Sequence, residues 1–220
     1  MATRTAYRGG TPVPTIAITL PLELPLPDGF DAWDLATWPL VEGRLEYVDG
    51  RLLYMPPSGD EQQDKVADVT VELGLWTRGH PEFLASTNEA GIILGRDVRA
   101  VDASVYRRID VGPYTGGLRR VPPVFAVEVA GKDEAEDLLL EKAAWYLDRG
   151  VEVVWVLVPR PRRVIVKTLG GSVELGPGER LPATHRCPGS SPASTISSVR
   201  YDKPDKRCTR GGPERSLTRR

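Results

Sequence analysis

The chain has 220 residues, of which 29 are Lys or Arg, 30 are Asp or Glu and 40% are hydrophobic, and its formal net charge is −1. That apolar content suffices for one buried core, and no run of apolar residues is long enough to cross a bilayer, so a transmembrane chain and a wholly disordered one are excluded. The only Cys and His residues, Cys187, Cys208, His80 and His185, rule out a zinc cluster and a disulfide framework and leave almost no candidates for Ser/His or Cys/His nucleophilic catalysis.

Pro12, Pro14, Pro21, Pro25 and Pro27 forbid a helix through the apolar stretch 15–26, and residues 1–30 are predicted to be an extended Pro-rich arm. Arg4 and Arg8 give it a faint likeness to a secretory signal. Glu23 and the prolines interrupt the apolar segment that such a signal needs, and no small-residue cleavage site follows, so the expected location is cytoplasmic. Asp31 to Trp38 reads as a short helix, and Arg44 to Tyr54 as two strands around an Asp49-Gly50 turn, a strong hairpin signal. Val66, Val69, Leu73 and Trp76 recur at spacings of three and four, which predicts an amphipathic helix over 60–78 closed by Gly79 and Pro81. Short strands are expected at 82–86, 92–94 and 100–106, followed by the apolar run Val124 to Ala130. A second helix spans 133–149, with Leu139, Ala143, Tyr146 and Leu147 on one face and Gly150 as its stop. Val151 to Val158 reads as a buried strand and Val164 to Leu169 as another. Strands interleaved with two long helices predict an α/β or α+β domain over 31–182. Residues 183–220 carry nine basic and three acidic residues with much Ser, Pro and Gly, which predicts a basic, disordered C-terminal tail on an acidic body. Such a tail could serve as a nucleic-acid arm.

The informative anomaly is Glu128, alone among apolar neighbours in Val124 to Ala130, because an unpaired carboxylate in a buried strand costs several kcal/mol. It needs a partner or a metal. Asp102 stands in the same way inside Ala100 to Tyr106, and two such strands side by side would bring two carboxylates together. Like charges at that range raise each other's pKa unless a divalent cation neutralises them, and an oxygen-only site suits Mg²⁺ or Mn²⁺. Lys142 on the following helix could supply positive charge, with Lys132 as a rival nearer in sequence.

The run Arg44-Leu-Glu46-Tyr-Val-Asp49-Gly50 through Met55-Pro-Pro, the strand bearing Asp102, Val127-Glu128-Val129, Lys142 with Tyr146, and Gly150 to Pro159 resemble the "putative restriction endonuclease" domain family of the PD-(D/E)xK nuclease superfamily. The resemblance covers roughly 31–169. It implies a restriction-endonuclease-like mixed β-sheet flanked by helices, an Mg²⁺- or Mn²⁺-dependent endonuclease activity on DNA, and a site whose metal ligands are Asp102 and Glu128. Glu46 matches the acid of the family's opening segment, and Lys142 the lysine carried on the helix after the second acid, since the literal ExK position is Ala130. Cutting both strands of a duplex would suit a homodimer, and no membrane partner is implied.

The sequence departs from the pattern at Val101, where a proline usually precedes the first acid, at Ala130-Gly131, where Ser-Pro is common, and at Gln62, where a histidine is common. The tail after Leu181-Pro182 is the larger departure and reads as a divergent or frame-altered end. These changes support a second function class, a catalytically inactive nucleic-acid or protein-binding module on the same fold. Other roles stay open for single residues: Asp102 could cap a strand end, Glu46 could lie on the exposed side of its hairpin, and Lys142 could face solvent. Arg107, Arg108, Arg119 and Arg120 flank an expected loop and could contact phosphates, whereas Tyr146 and Trp155 read as core, and Lys65 and Asp137 as surface charge.

Overall fold

A computed structural model of the chain describes residues 7–8, 11–12, 20–132, 134–177 and 179. The basic tail expected over 183–220 lies outside the described residues. Strands β1 (Tyr7–Arg8) and β2 (Thr11–Pro12) form a minimal antiparallel pair. Strand β3 (Leu22–Leu24) pairs with β5 (Arg51–Met55), so the main sheet begins inside the stretch read as an arm. It does so as an edge strand, the position where flanking prolines leave no ladder bond unmade. The helix expected over Asp31 to Trp38 is a single 3-10 turn, Leu35–Thr37, held by the Asp34 side chain on the Ala36 N–H.

Strand β4 (Arg44–Val48) and β5 make the expected hairpin, with Asp49 at φ 50° and Gly50 at φ 79°, the left-handed pair that a tight turn of this hand requires. Helix α1 (Asp60–Gly79) follows, and the two short strands predicted next are one long strand, β6 (Phe83–Leu94). Its register on β7 (Asp97–Arg107) shifts between Thr87 and Ala90. A bulge there interrupts the apolar alternation, which is why the sequence reads as two pieces. The short helix α2 (Arg108–Val111), strand β8 (Phe125–Val129), helix α3 (Glu136–Asp148) and strands β9 (Val153–Val158) and β10 (Arg163–Thr168) come in the expected order. Strand β11 (Gly171–Leu175) was not foreseen, because it is an exposed edge strand without an apolar face.

Nine strands form one mixed sheet in the order β11-β10-β9-β8-β7-β4-β5-β3, with β6 also paired to β7. The β8–β9 pair is parallel and is connected through α3. Helix α1 buries Val69, Leu73 and Trp76 against Ala103, Val105, Val127, Val129 and Trp155 on one side of the sheet. Helix α3 buries Leu139, Ala143, Tyr146 and Leu147 against Ala126, Val154 and Val156 on the other. Alternation along β8 therefore turns Val127 and Val129 toward α1, and Ala126 and Glu128 toward α3.

The feature that positions the site is a fork. Strand β7 pairs with β6 from Asp97 to Arg107. Along the opposite edge, β4 meets it at Val98 and β8 meets it from Ala103 to Val105, so the edge between is left to side chains. Gly43 fixes the outer arm of this fork: it sits at φ +131°, and a Cβ there would lie 2.3 Å from the Met55 carbonyl oxygen. Gly43→Ala is expected to cost about 3 kcal/mol, from the strained backbone and the clash together, read as a lower urea midpoint at unchanged slope.

Candidate active site

Each candidate residue reaches the fork for a local reason. On β4, Arg44, Glu46 and Val48 are buried while Leu45 and Tyr47 are half-buried, so Arg44 and Glu46 share one face. Glu46 is therefore not on the exposed side of the hairpin. Across β7 and β8, Ala103 faces Val127, which brings Asp102 and Glu128 to the next position along the same pair of strands. Lys142 and Tyr146 are four residues apart on α3, hence on one face of the helix, and both are buried against that position.

The side chains replace the missing ladder. Ala100 in β7 donates its N–H to Glu46 Oε1 at 3.2 Å, and its carbonyl accepts from Lys142 Nζ at 2.7 Å. Lys142 uses its other two hydrogens on Glu46 Oε1 at 2.8 Å and Glu128 Oε2 at 3.0 Å, which satisfies the ammonium completely. The Tyr146 hydroxyl lies 2.9 Å from Glu128 Oε1 and 3.2 Å from the Ala100 carbonyl. Asp102 accepts the Val129 N–H on Oδ2 at 2.8 Å and faces Arg44 Nη1 with Oδ1 at 3.5 Å. Glu46 is held from the far side by Arg99 Nη1 at 3.1 Å. From α1, Gln62 donates Nε2 to the Val129 carbonyl at 2.8 Å, so the N–H and the carbonyl of Val129 are both bonded to side chains, those of Asp102 and Gln62.

Burial and charge pull against each other here. Desolvation raises Glu46, but Lys142, Arg44 and Arg99 outweigh it and hold its carboxyl below the usual 4.5. Asp102 stays raised, because burial exceeds what Arg44, Lys142 and the Val129 N–H return. Glu128 is pushed up to about 8 by burial, reinforced by the neighbouring Asp102 and Glu46 carboxylates against the opposing pull of Lys142 and Arg44. Burial lowers Lys142, yet Glu128 and Glu46 more than compensate and raise it above 10.5. Tyr146 is raised well above 10 by burial and by Glu128, so it is a hydrogen-bonding phenol and not a phenolate.

The structure thus brings together Glu46, Asp102, Glu128 and Lys142, and adds Arg44, Arg99, Tyr146 and Gln62, which sequence reading left outside the candidate site. Lys132 is exposed and does not enter the cluster. Tyr146 is core, as expected, and also part of the network. The buried Asp97 was missed as well: it accepts from the Asp49 N–H, Trp145 Nε1 and Arg149 Nη2, and so ties the hairpin turn to α3. Three of the loop arginines have partners within the protein, Arg107 with Glu152 at 2.8 Å, the exposed Arg108 with the Pro81 carbonyl at 2.8 Å, and Arg119 over the Tyr106 ring. A period-two pattern in Arg44-Leu-Glu46-Tyr-Val48 was the one available signal for Arg44.

A family model described as "Uma2: Putative restriction endonuclease" matches residues 32–192. The chain belongs to the Uma2 family. A solved structure that resembles the Uma2 domain described here is titled as a putative nuclease belonging to DUF820 from Anabaena variabilis; it superposes with a TM-score of 0.61 at 15% sequence identity, over 68% of this chain and 86% of that one. At that identity the likeness shows the fold, a mixed sheet with flanking helices. No curated protein matches the chain. Among the described residues no helix is long and apolar enough to cross a membrane.

Proposed function

We propose that the protein is a metal-dependent endonuclease that hydrolyses DNA phosphodiester bonds with Mg²⁺ or Mn²⁺. One observation carries this reading: Glu46, Asp102, Glu128 and Lys142 arrive from three strands and a helix at one fork in the sheet, each at most 3% exposed. Buried ions at this density cost several kcal/mol apiece before pairing, and apolar side chains would pack the same space at less expense, so stability alone does not account for them. Family membership over most of the body supports the same class of chemistry.

Asp102 and Glu128 would hold the ion. The donor set fits a hard cation, being all oxygen, and Asp102 Oδ1 is met in the described network only by Arg44 at 3.5 Å, well beyond an optimal charge-assisted bond. Among the described residues no three His, Cys, Asp or Glu side chains stand grouped as a ready metal cage, since Lys142 bridges Glu46 and Glu128. When bound, a divalent ion lowers the pKa of its water and offsets phosphate charge. Lys142 supplies a positive charge fixed by three acceptors, and a phosphate oxygen or an attacking water could take over one of those hydrogens. Glu46 sets where that ammonium sits, through its own bonds to Ala100 and Arg99. The Tyr146 hydroxyl fixes the Glu128 carboxyl on its other oxygen.

The second reading, a non-catalytic nucleic-acid or protein-binding module, is favoured by the same burial, which closes the acids off from solvent. Titration of Mn²⁺ into the wild type, Asp102→Ala and Glu128→Ala, with plasmid nicking on the same samples, separates the two. The nuclease is expected to bind Mn²⁺ and nick, and each variant to lose measurable binding and at least on the order of 10²-fold in nicking. A folded wild type that neither binds the ion nor nicks DNA would leave the binding module.

A further inference from the structure

We infer that Thr87 is a positioning residue for the cation at Asp102: its hydroxyl, braced by Thr70 of helix α1, sets where the Asp102 backbone sits at the β6 bulge. This rests on the reading of Asp102 as a cation ligand. The register, the hydrogen bonds and the surroundings of the two threonines carry it.

Along β6 and β7, Thr87 pairs with Ala103 and Ala90 with Val101, so residues 88 and 89 of β6 stand across from the single residue Asp102. A bulge of this kind disrupts the ladder and bends its strand. It falls opposite the one acid that β7 contributes to the cluster. At that point a side chain enters the ladder: the Thr87 hydroxyl donates to the Asp102 carbonyl at 3.1 Å. Thr87 Oγ1 lies 2.9 Å from Thr70 Oγ1, and the Thr70 hydroxyl also reaches the Val66 carbonyl one turn back at 2.7 Å. Each hydroxyl has one hydrogen, so with that of Thr87 on Asp102 the bond between the threonines is donated by Thr70, which shares its hydrogen with Val66.

Helix α1 reaches Asp102 by a second path. Gln62 holds the Val129 carbonyl at 2.8 Å, and the Val129 N–H holds Asp102 Oδ2 at 2.8 Å. Gln62, Val66 and Thr70 are spaced by four, so one stripe of the helix fixes the main chain of Asp102 through Thr87 and its carboxylate through Val129. Around these bonds the interface is apolar: Val69 and Leu73 of α1, Ala85 of β6 and Ala103 of β7 belong to the core between helix and sheet. Valine has nearly the shape of threonine and would pack at 70 and 87 without a hydroxyl to satisfy. What threonine adds at 87 is a directed bond to the residue that would hold the cation. Partners of this kind behind a metal ligand are worth about 10- to 100-fold in metal affinity.

The test titrates Mn²⁺ alone into the full-length wild type, Thr87→Val, Thr87→Ser and Thr70→Val, with the fold of each checked by circular dichroism. Thr87→Val keeps the shape and removes the hydroxyl, and is expected to weaken Mn²⁺ binding on the order of tenfold. Thr87→Ser keeps the hydroxyl and gives up a methyl group, and is expected to bind as the wild type does. Thr70→Val leaves the bond to Asp102 without its brace and is expected to lose less than Thr87→Val, in the same direction. Wild-type affinity in a folded Thr87→Val would overturn the inference, and an equal loss in Thr87→Ser would assign the effect to packing and overturn it too. If Thr87→Val does not fold, Thr70→Val decides: wild-type affinity there, or failure of that variant to fold as well, makes the pair structural and overturns the inference. If the wild type itself takes up no Mn²⁺, the reading of Asp102 as a cation ligand falls first and this inference with it.

Discussion

Lys142→Met lowers the stability of the protein by about 3 kcal/mol at pH 7, and the deficit deepens above pH 8. The first part follows from what the ammonium holds. Its bonds to Glu46 Oε1 and the Ala100 carbonyl, 2.8 and 2.7 Å long, are buried, and methionine fills the space without replacing either. Glu46 keeps Arg99 and the Ala100 N–H, which limits the loss to less than that of a fully orphaned charge. The deepening comes from Glu128. In the wild type its carboxyl titrates near 8, with Lys142 among the groups that pull it down from where burial alone would put it. Without Lys142 it titrates higher still, so between the two values the folded variant holds one more proton than the folded wild type. Each pH unit in that window then adds about 1.4 kcal/mol to the difference. Urea unfolding of the two proteins at pH 6.5, 8 and 9.5 checks this; a difference that stays constant or shrinks with pH would mean that Lys142 is not the counter-ion of Glu128.

Glu128→Gln flattens the pH dependence of stability between about 5 and 8. Burial and the adjacent carboxylates raise the folded pKa of Glu128 to about 8, against an ordinary value of 4.5. Between those values the folded protein binds a proton that the unfolded chain has released, so this group's contribution to stability is fully present below 4.5 and is lost progressively up to about 8. Glutamine cannot titrate and keeps the shape of the protonated acid, so that slope, up to about 1.4 kcal/mol per pH unit, disappears. The hydrogen-bond network accommodates the neutral acid. Tyr146 Oη lies within reach of both Glu128 Oε1 and the Ala100 carbonyl, and a proton on Glu128 directed to Oη frees the tyrosine hydrogen for Ala100. The same proton has a functional consequence under the proposed nuclease reading. Uptake of Mn²⁺ by the wild type at pH 7 should release close to one proton, measurable as heats that differ between buffers of different ionisation enthalpy, and affinity and nicking should both rise toward pH 8. Parallel stability profiles for the wild type and Glu128→Gln, or buffer-independent heats, would show that Glu128 is already ionised at neutral pH.

Much of the architecture was written locally. The Asp49-Gly50 turn, the apolar spacing of Val69, Leu73 and Trp76, and the continuous apolar strand ending at Val158 each specify an element through a period or a turn that depends on near neighbours, and each forms where the pattern put it. Glu128 stood out for a similar reason, as a single charge in an apolar run. The elements that the sequence concealed were those without such a pattern: β11, which is solvated, and the unbroken course of β6, whose bulge disturbs its alternation.

The site was only half legible. Sequence marked Asp102 and Glu128 as charges inside apolar strands, but not their partners, because partners come from elements 14 to 58 residues apart, as in Lys142 with Glu128 and Arg44 with Asp102. Whether Lys132 or Lys142 enters could not be settled by nearness in sequence; the seating of α3 against β8 and β9 buries the second and leaves the first exposed. Above all, the fork between β4 and β8 exists only in three dimensions. It leaves the Ala100 N–H and carbonyl without a strand to pair with, and an unpaired buried backbone group demands a polar partner. Glu46, Lys142 and Tyr146 answer that demand, so the requirement that gathers the charges is set by the sheet, while the sequence determines only that charges of the right kind are there to be gathered.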